Sequence, residues 1–171
     1  MMSVGENNLK VFISHYQDDS DIAGQVQRCL KEFRVDAYLD VLDKTLTGNG
    51  AALTAHLKAE MNRCTDLLVV MSSKTYQSGW VPFEIGMAAH KDLPTVTYLA
   101  QNVVLPEYLD FWPRIKYLEQ LKFYVEERML YERKMKMVNE SRCYSGVFHM
   151  DSFPTTEGFY SDLKRRLRMG R

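Results

Sequence analysis

The sequence has no excess of charge of either sign. Its 171 residues include 22 Lys and Arg and 22 Asp and Glu, so the formal net charge is zero. Proteins that bind nucleic acid usually carry a basic patch for the phosphates. The one basic run, from Lys164 to Arg171, has the spacing of the solvated face of a final helix. We therefore expect no nucleic-acid partner.

Cysteine and histidine are too few and too scattered for a disulfide framework or a metal site. Cys29, Cys64 and Cys143 are odd in number and form no Cys-x-x-Cys motif. The four histidines lack metal-ligand spacing. We expect no structural metal, and a reducing compartment such as the cytoplasm.

Long apolar runs are also lacking. No stretch approaches the roughly 20 apolar residues of a membrane-spanning helix. The first ten residues, MMSVGENNLK, do not place a basic segment before an apolar one, as a secretory signal does. The expectation is a cytoplasmic protein without a membrane partner.

Short apolar runs alternate along the chain with stretches of helical spacing. Asp19, Ser20 or Asp21 would cap the first helix. Such alternation predicts a flavodoxin-like, doubly wound α/β fold with a five-stranded parallel sheet. The segment 139–156 reads as irregular. Strands are expected at 11–13, 35–39, 67–71, 95–99 and 114–118, and helices around 22–33, 52–61, 79–90, 118–138 and 158–169.

Ligands of such sheets bind outside the carboxyl ends of the strands. Ser14, His15 and Tyr16 follow the first strand, and Asp40 follows the second. The loop after the third strand leads into SGWVPFEIG, in which Glu84 is flanked by apolar side chains. These residues should face one cleft.

Three stretches, in order, resemble a TIR (Toll/interleukin-1 receptor) domain. They are VFISHYQDDSD, YLDVLDKTLTGNG and CTDLLVVMSSKTYQSGWVPFEIG, within roughly residues 10–100. The resemblance implies a TIR domain over 8–138 and a helical C-terminal extension over 139–171 packed on it. Some TIR domains are scaffolds that recruit partners, and others cleave NAD between nicotinamide and ribose. The enzymatic group has a glutamate four residues after a tryptophan, as in Trp80 and Glu84.

The resemblance therefore implies an NAD glycohydrolase or ADP-ribosyl cyclase. The chain is similar to the small bacterial TIR component of Thoeris anti-phage systems, in which a separate effector senses the product. NAD is then the substrate, and no cofactor is expected. One carboxylate, Glu84, would stabilise the positive charge that develops on ribose. Ser14, His15, Tyr16, Asp40 and Trp80 would bind substrate.

Structural interpretations compete with each of these roles. Glu84 at a helix start is favourable with the helix dipole. Trp80 would serve equally as core filler, Ser14 as a strand-end hydroxyl, and Asp40 as a loop-closing side chain. The chain also departs from the enzymatic pattern, because Ala51 follows the loop glycine where an aromatic often stands.

Two further functions stay open at the level of sequence. One is a TIR scaffold that docks a partner through the loop after the second strand. The other is an enzyme like the nucleoside deoxyribosyltransferases, which share the fold type and a catalytic glutamate. The Trp80–Glu84 pair favours NAD cleavage over the first, and the TIR-like stretches favour it over the second.

We predict that activity depends on self-association. In TIR enzymes the loop after the second strand commonly completes the pocket of a neighbouring subunit, and residues 40–50 would do so here. Nicotinamide release per molecule should therefore rise with protein concentration or crowding. Specific activity that stays constant over a wide dilution series would contradict this prediction.

Overall fold

Five parallel strands form the central sheet of the protein. A computed structural model describes residues 8–39, 49–100, 103–105, 107–144 and 154–169. The strand order β2-β1-β3-β4-β5 is that of flavodoxin-like sheets, and the predicted fold class is confirmed. The strands are β1 (Lys10–Ser14), β2 (Asp36–Leu39), β3 (Asp66–Met71), β4 (Thr95–Leu99) and β5 (Arg114–Ile115).

Five α-helices lie where the apolar spacing predicts them. The expectation of irregular chain from residue 139 is wrong as far as Tyr144, because no proline or glycine interrupts the fourth helix before that point. That helix crosses the expected domain boundary after residue 138 without a break. The helices are α1 (Ser20–Glu32), α2 (Gly50–Asn62), α3 (Trp80–His90), α4 (Leu121–Tyr144) and α5 (Thr156–Met169).

The sheet separates two apolar layers because successive strand side chains point to opposite faces. In β1, Val11 and Ile13 pack in the layer that contains residues of α1, α4 and α5. Phe12 packs in the other layer, with residues of α2 and α3. All six residues of β3 are buried, as expected for a central strand covered on both sides.

The last helix belongs to the main core. Its apolar face, Phe159, Tyr160, Leu163 and Leu167, packs in the same layer as β1 and β3. The backbone N–H of Thr95, at the start of β4, donates to the hydroxyl of Tyr160 at 2.9 Å. This contact fixes α5 against the amino end of the sheet.

A buried ion pair joins α4 to the amino end of β3. Asp66 is fully buried and accepts hydrogen bonds from Nε and Nη2 of Arg128, at 2.6 and 2.9 Å. The hydroxyl of Tyr124 donates to the same carboxylate at 2.8 Å. Burial by itself lowers the pKa of a guanidinium, but the Asp66 carboxylate outweighs it and raises the pKa of Arg128.

No helix in the described ranges combines the length and apolar character needed to cross a bilayer.

We predict that Arg128→Met lowers the free energy of unfolding by about 3–5 kcal/mol, because it leaves the Asp66 carboxylate buried without its cation. Urea denaturation followed by circular dichroism measures the loss. The matched control is Arg133→Met on the exposed face of the same helix, which should stay within about 0.5 kcal/mol of wild type. The double variant Asp66→Leu/Arg128→Met should be more stable than Arg128→Met alone. Equal midpoints for the Arg128 and Arg133 variants would contradict the assignment.

Candidate active site

Helix α3 carries Glu84 into the interior of the domain. The Ser78 hydroxyl accepts from the backbone N–H groups of Trp80 and Val81, at 3.2 and 3.1 Å, and so fixes the start of the helix. Residues three and four apart then share one helix face. The buried face contains Val81, Glu84, Ile85 and Ala88.

The carboxylate of Glu84 meets the carboxyl end of β1. The Ser14 hydroxyl donates to Oε2 of Glu84, across 70 residues of sequence. Ser14 is 0% exposed and Glu84 is 1% exposed. The two residues that the sequence singles out as catalytic and substrate-binding are therefore in direct contact. The Glu84 carboxylate lies inside the fold and not on the surface of an open cleft.

His15 and Tyr16 turn away from the β1 end into the loop before α1. His15 is buried, and its Nε2 lies 3.2 Å from the Ser20 hydroxyl. Tyr16 is half-buried. The structure places both residues next to Ser14 in the chain and gives no contact that assigns either of them to a substrate. Their binding roles stay predictions.

A second carboxylate–hydroxyl pair lies in the same group of loops. Asp19, 5% exposed, accepts from the hydroxyl of Ser72 at 2.6 Å. Ser72 follows β3, and its backbone N–H donates to the Thr75 hydroxyl at 2.7 Å. Asp19 precedes α1 but makes no side-chain cap, so the capping role expected for it is wrong. Its carboxylate binds across the sheet edge instead.

This pair was not found in the sequence. Asp19 follows an apolar strand by a few residues, as capping residues do, and nothing in its spacing distinguishes a cap from a cross-loop acceptor. The signal in the sequence that points to this contact is the pair of hydroxyl residues, Ser72 and Ser73, at the end of the central strand. Together the two pairs tie the loop after β1 to α3 and to the loop after β3.

Trp80 packs partly in the core, and its substrate-binding role stays a prediction. The side chain is half-buried and packs against the apolar layer of α2 and α3. Its ring meets that of Phe83 edge to face, with centroids 5.8 Å apart. Phe83 itself is 39% exposed. Trp80 thus lies at the border between core and surface, one helical turn before Glu84. Asp40 lies outside the described residues.

Metal-ligating side chains do not gather in this region. Within the part of the chain that the structure describes, no three His, Cys, Asp or Glu residues are grouped so that they could hold a metal ion. The chemistry available from these residues is that of a buried carboxylate and its hydroxyl partner.

The family model "TIR domain" matches residues 11–127. The chain belongs to the TIR-domain family. The match contains β2 to β5 and all of β1 except Lys10, and it extends into α4. It also argues against a nucleoside deoxyribosyltransferase-like enzyme, which the sequence alone leaves open.

Solved structures agree with this family assignment at the level of fold. Fourteen chains match, among them the TIR domain of the Toll-related receptor TRR-2 from Hydra magnipapillata. That match has a TM-score of 0.53 and 15% identity, and covers 72% of this chain and 95% of the other. At that identity the likeness shows the fold alone. No curated protein matches the sequence significantly.

We predict that Ser14→Ala destabilises the TIR domain by about 1–3 kcal/mol, because it removes a donor from a buried carboxylate. Ser73→Ala is the matched control at an exposed hydroxyl, and its effect should be under about 0.5 kcal/mol. Urea midpoints measure both.

In a Glu84→Gln background the cost of Ser14→Ala should shrink, because the acceptor is then neutral. Equal effects of the two serine substitutions in the wild-type background would show that the Ser14–Glu84 contact adds nothing to stability.

Proposed function

We propose that this TIR domain cleaves NAD between nicotinamide and ribose, with Glu84 as the catalytic carboxylate. The observation that carries the proposal is the position of that side chain. Glu84 is 1% exposed at the carboxyl end of the sheet, in contact with the Ser14 hydroxyl and one turn after Trp80. Ligands of doubly wound sheets bind at this end.

Burial of Glu84 favours a functional role over a favourable interaction with the helix dipole. A carboxylate that only complements a helix start gains its small stabilisation at the surface, where it stays solvated. Moving a carboxylate inside costs solvation free energy, which its contacts in the fold have to offset. Buried ionisable groups in clefts are candidates for catalytic sites, where their charge stabilises the transition state.

The reaction needs little beyond such a charge. The bond between ribose C1′ and the nicotinamide nitrogen breaks, and its electron pair returns to the ring, which leaves as neutral nicotinamide. Positive charge then develops on the ribose, and the Glu84 carboxylate stabilises it. Water attacks C1′, gives ADP-ribose and releases a proton to solvent. Attack by a nucleophile of the ADP-ribose itself would give a cyclic product instead.

Before this chemistry can occur, Glu84 has to become accessible to the substrate. A side chain that is 1% exposed cannot contact a dinucleotide until its surroundings move. Self-association through the region 40–50 is the event we propose for this opening, since in sequence that region follows β2, the strand that pairs with β1. The Ser14 hydroxyl would then exchange Glu84 for a ribose hydroxyl.

The biological setting follows from the sequence resemblance. The small TIR component of Thoeris systems makes a nucleotide signal that a separate effector senses, and we propose that role in bacterial anti-phage defence for this chain. A cytoplasmic location is part of the same proposal and rests on the cysteine pattern.

A TIR scaffold without enzymatic activity is the second candidate. It is favoured by the close packing of Glu84 within the fold, which is what a structural side chain on an inward helix face would show. In that case Glu84 would anchor α3 to β1 through Ser14, and the region 40–50 would dock a partner.

We predict that Glu84→Gln abolishes measurable nicotinamide release, by analogy with the 10²–10³-fold cost of removing one preorganised electrostatic group. Glutamine keeps the size and the acceptor for Ser14 but removes the charge, so the melting temperature should hold or rise. The matched control is Glu140→Gln at an exposed position of α4, which should cleave NAD at the wild-type rate.

Chromatography of NAD incubated with each protein at high concentration measures the products. A Glu84→Gln protein as active as wild type would remove Glu84 from the mechanism. Absence of nicotinamide release from the wild type, under crowding as well, would favour the scaffold.

A further inference from the structure

A cationic cavity lies at the β5 edge of the sheet, away from Glu84. It has a volume of about 970 Å³ and lies between the strand and the last turns of α5. Ligand-binding cavities typically have about 300–1,000 Å³. Its lining includes four cationic side chains and one carboxylate: Arg114, Lys116, Lys164, Arg168 and Asp110.

Two of the four cationic side chains bind other groups of the protein, and the other two are available to bind a ligand. Arg114 pairs with Asp110, and the Lys164 ammonium donates to the carbonyl of Phe111 at 2.6 Å. Lys116 and Arg168 are exposed, and neither pairs with a carboxylate among the residues described. The pKa of Lys164 is lowered, first by burial and then by Arg114 and Arg168. A phosphate in this cavity would relieve that repulsion.

The backbone at the mouth of the cavity is held in place. The Gln120 side chain, 7% exposed, accepts from the backbone N–H of Lys116 at 2.9 Å and of Tyr117 at 3.3 Å. Tyr117 is 61% exposed and Trp112, also in the lining, is half-buried. Exposed aromatic rings beside cations can stack on a base while the cations hold phosphate.

A smaller apolar cavity adjoins the first one. It has about 520 Å³, begins at the carboxyl end of β4, and shares Arg114, Lys116 and Tyr117 with the cationic cavity. The remaining lining is apolar: Leu99, Ala100, Val103 and Val104. A ligand that spans both cavities would place an apolar group at one end and negative charge at the other.

We propose that this edge of the TIR domain binds a nucleoside diphosphate, with Lys116 and Arg168 on the phosphates and Tyr117 against the base. The site is separate from Glu84, which follows β3, whereas this cavity flanks β4 and β5. It is a second nucleotide site, and it does not depend on the catalytic proposal.

Isothermal titration of the full chain with ADP tests the site. The pocket variant is Lys116→Gln/Arg168→Gln, and the control is Lys58→Gln/Arg133→Gln, two exposed residues of α2 and α4. Both variants lose two positive charges. ADP should bind wild type and control equally, and the pocket variant at least about tenfold more weakly, as expected for one lost charge-assisted hydrogen bond. Affinity should fall as salt rises.

Several results would overturn the proposal. Unchanged ADP affinity in the pocket variant would place any ADP binding elsewhere, including beside Glu84. An equal loss in the control would reduce the effect to net charge. Pyrophosphate that binds as tightly as ADP would show a plain anion site without a base subsite. Absence of binding by wild type at millimolar ADP would remove the site altogether.

Tryptophan fluorescence gives an independent readout. The chain has two tryptophans, so Trp112 is the one that remains in a Trp80→Phe protein. ADP should change its emission, and the change should be lost when Lys116→Gln/Arg168→Gln is added. Emission that stays constant at saturating ADP would contradict binding next to Trp112.

Discussion

The carboxylate of Asp66 sets a constraint on which the packing of the C-terminal half depends. Asp66 is the first residue of the central strand, all of whose residues are buried, and its carboxylate cannot reach water. An unpaired charge there would cost several kcal/mol, so the chain has to bring a cation to it. Arg128 of α4 does so with two hydrogen bonds, and its guanidinium also lies over the ring of Phe159 at 5.6 Å. Helices α4 and α5 are thereby fixed on one face of the sheet.

The buried carboxylates at the two ends of the sheet have different hydrogen-bond partners. Asp66, at the amino end, pairs with the Arg128 guanidinium and also accepts a hydrogen bond from the Tyr124 phenol. Glu84, at the carboxyl end, accepts from a neutral hydroxyl of Ser14. The printed hydrogen bonds of the two carboxylates therefore differ in the charge of the donor. Our proposal places the chemistry at Glu84 because it lies at the carboxyl end of the sheet, where ligands of such folds bind.

The surroundings of the sheet also differ in charge between its centre and its β5 edge. Near β1 and β3 the buried groups are two carboxylate–hydroxyl pairs, centred on Glu84 and Asp19. Beyond β4 the lining turns cationic, with Lys116 and Arg168 exposed at the edge of β5. One suits developing positive charge on ribose, and the other suits phosphate. Two separate regions of one TIR sheet thus carry opposite charges, although the chain as a whole is neutral.

The sequence by itself determined the order of the five strands and five helices and the placing of Ser14 and Glu84 at one end of the sheet. These follow from short apolar runs that alternate with helical spacing, and from the rule that ligands of such sheets bind at the carboxyl ends of the strands. Tertiary structure alone decided three other points: the partner of Asp19, the depth of Glu84, and the cationic cavity at β5. Asp19 accepts from Ser72 and does not cap its own helix. Lys116 and Arg168, which line the cavity together, are more than 50 residues apart in the sequence. Contacts between distant residues depend on how the layers pack, and local spacing carries no record of that packing.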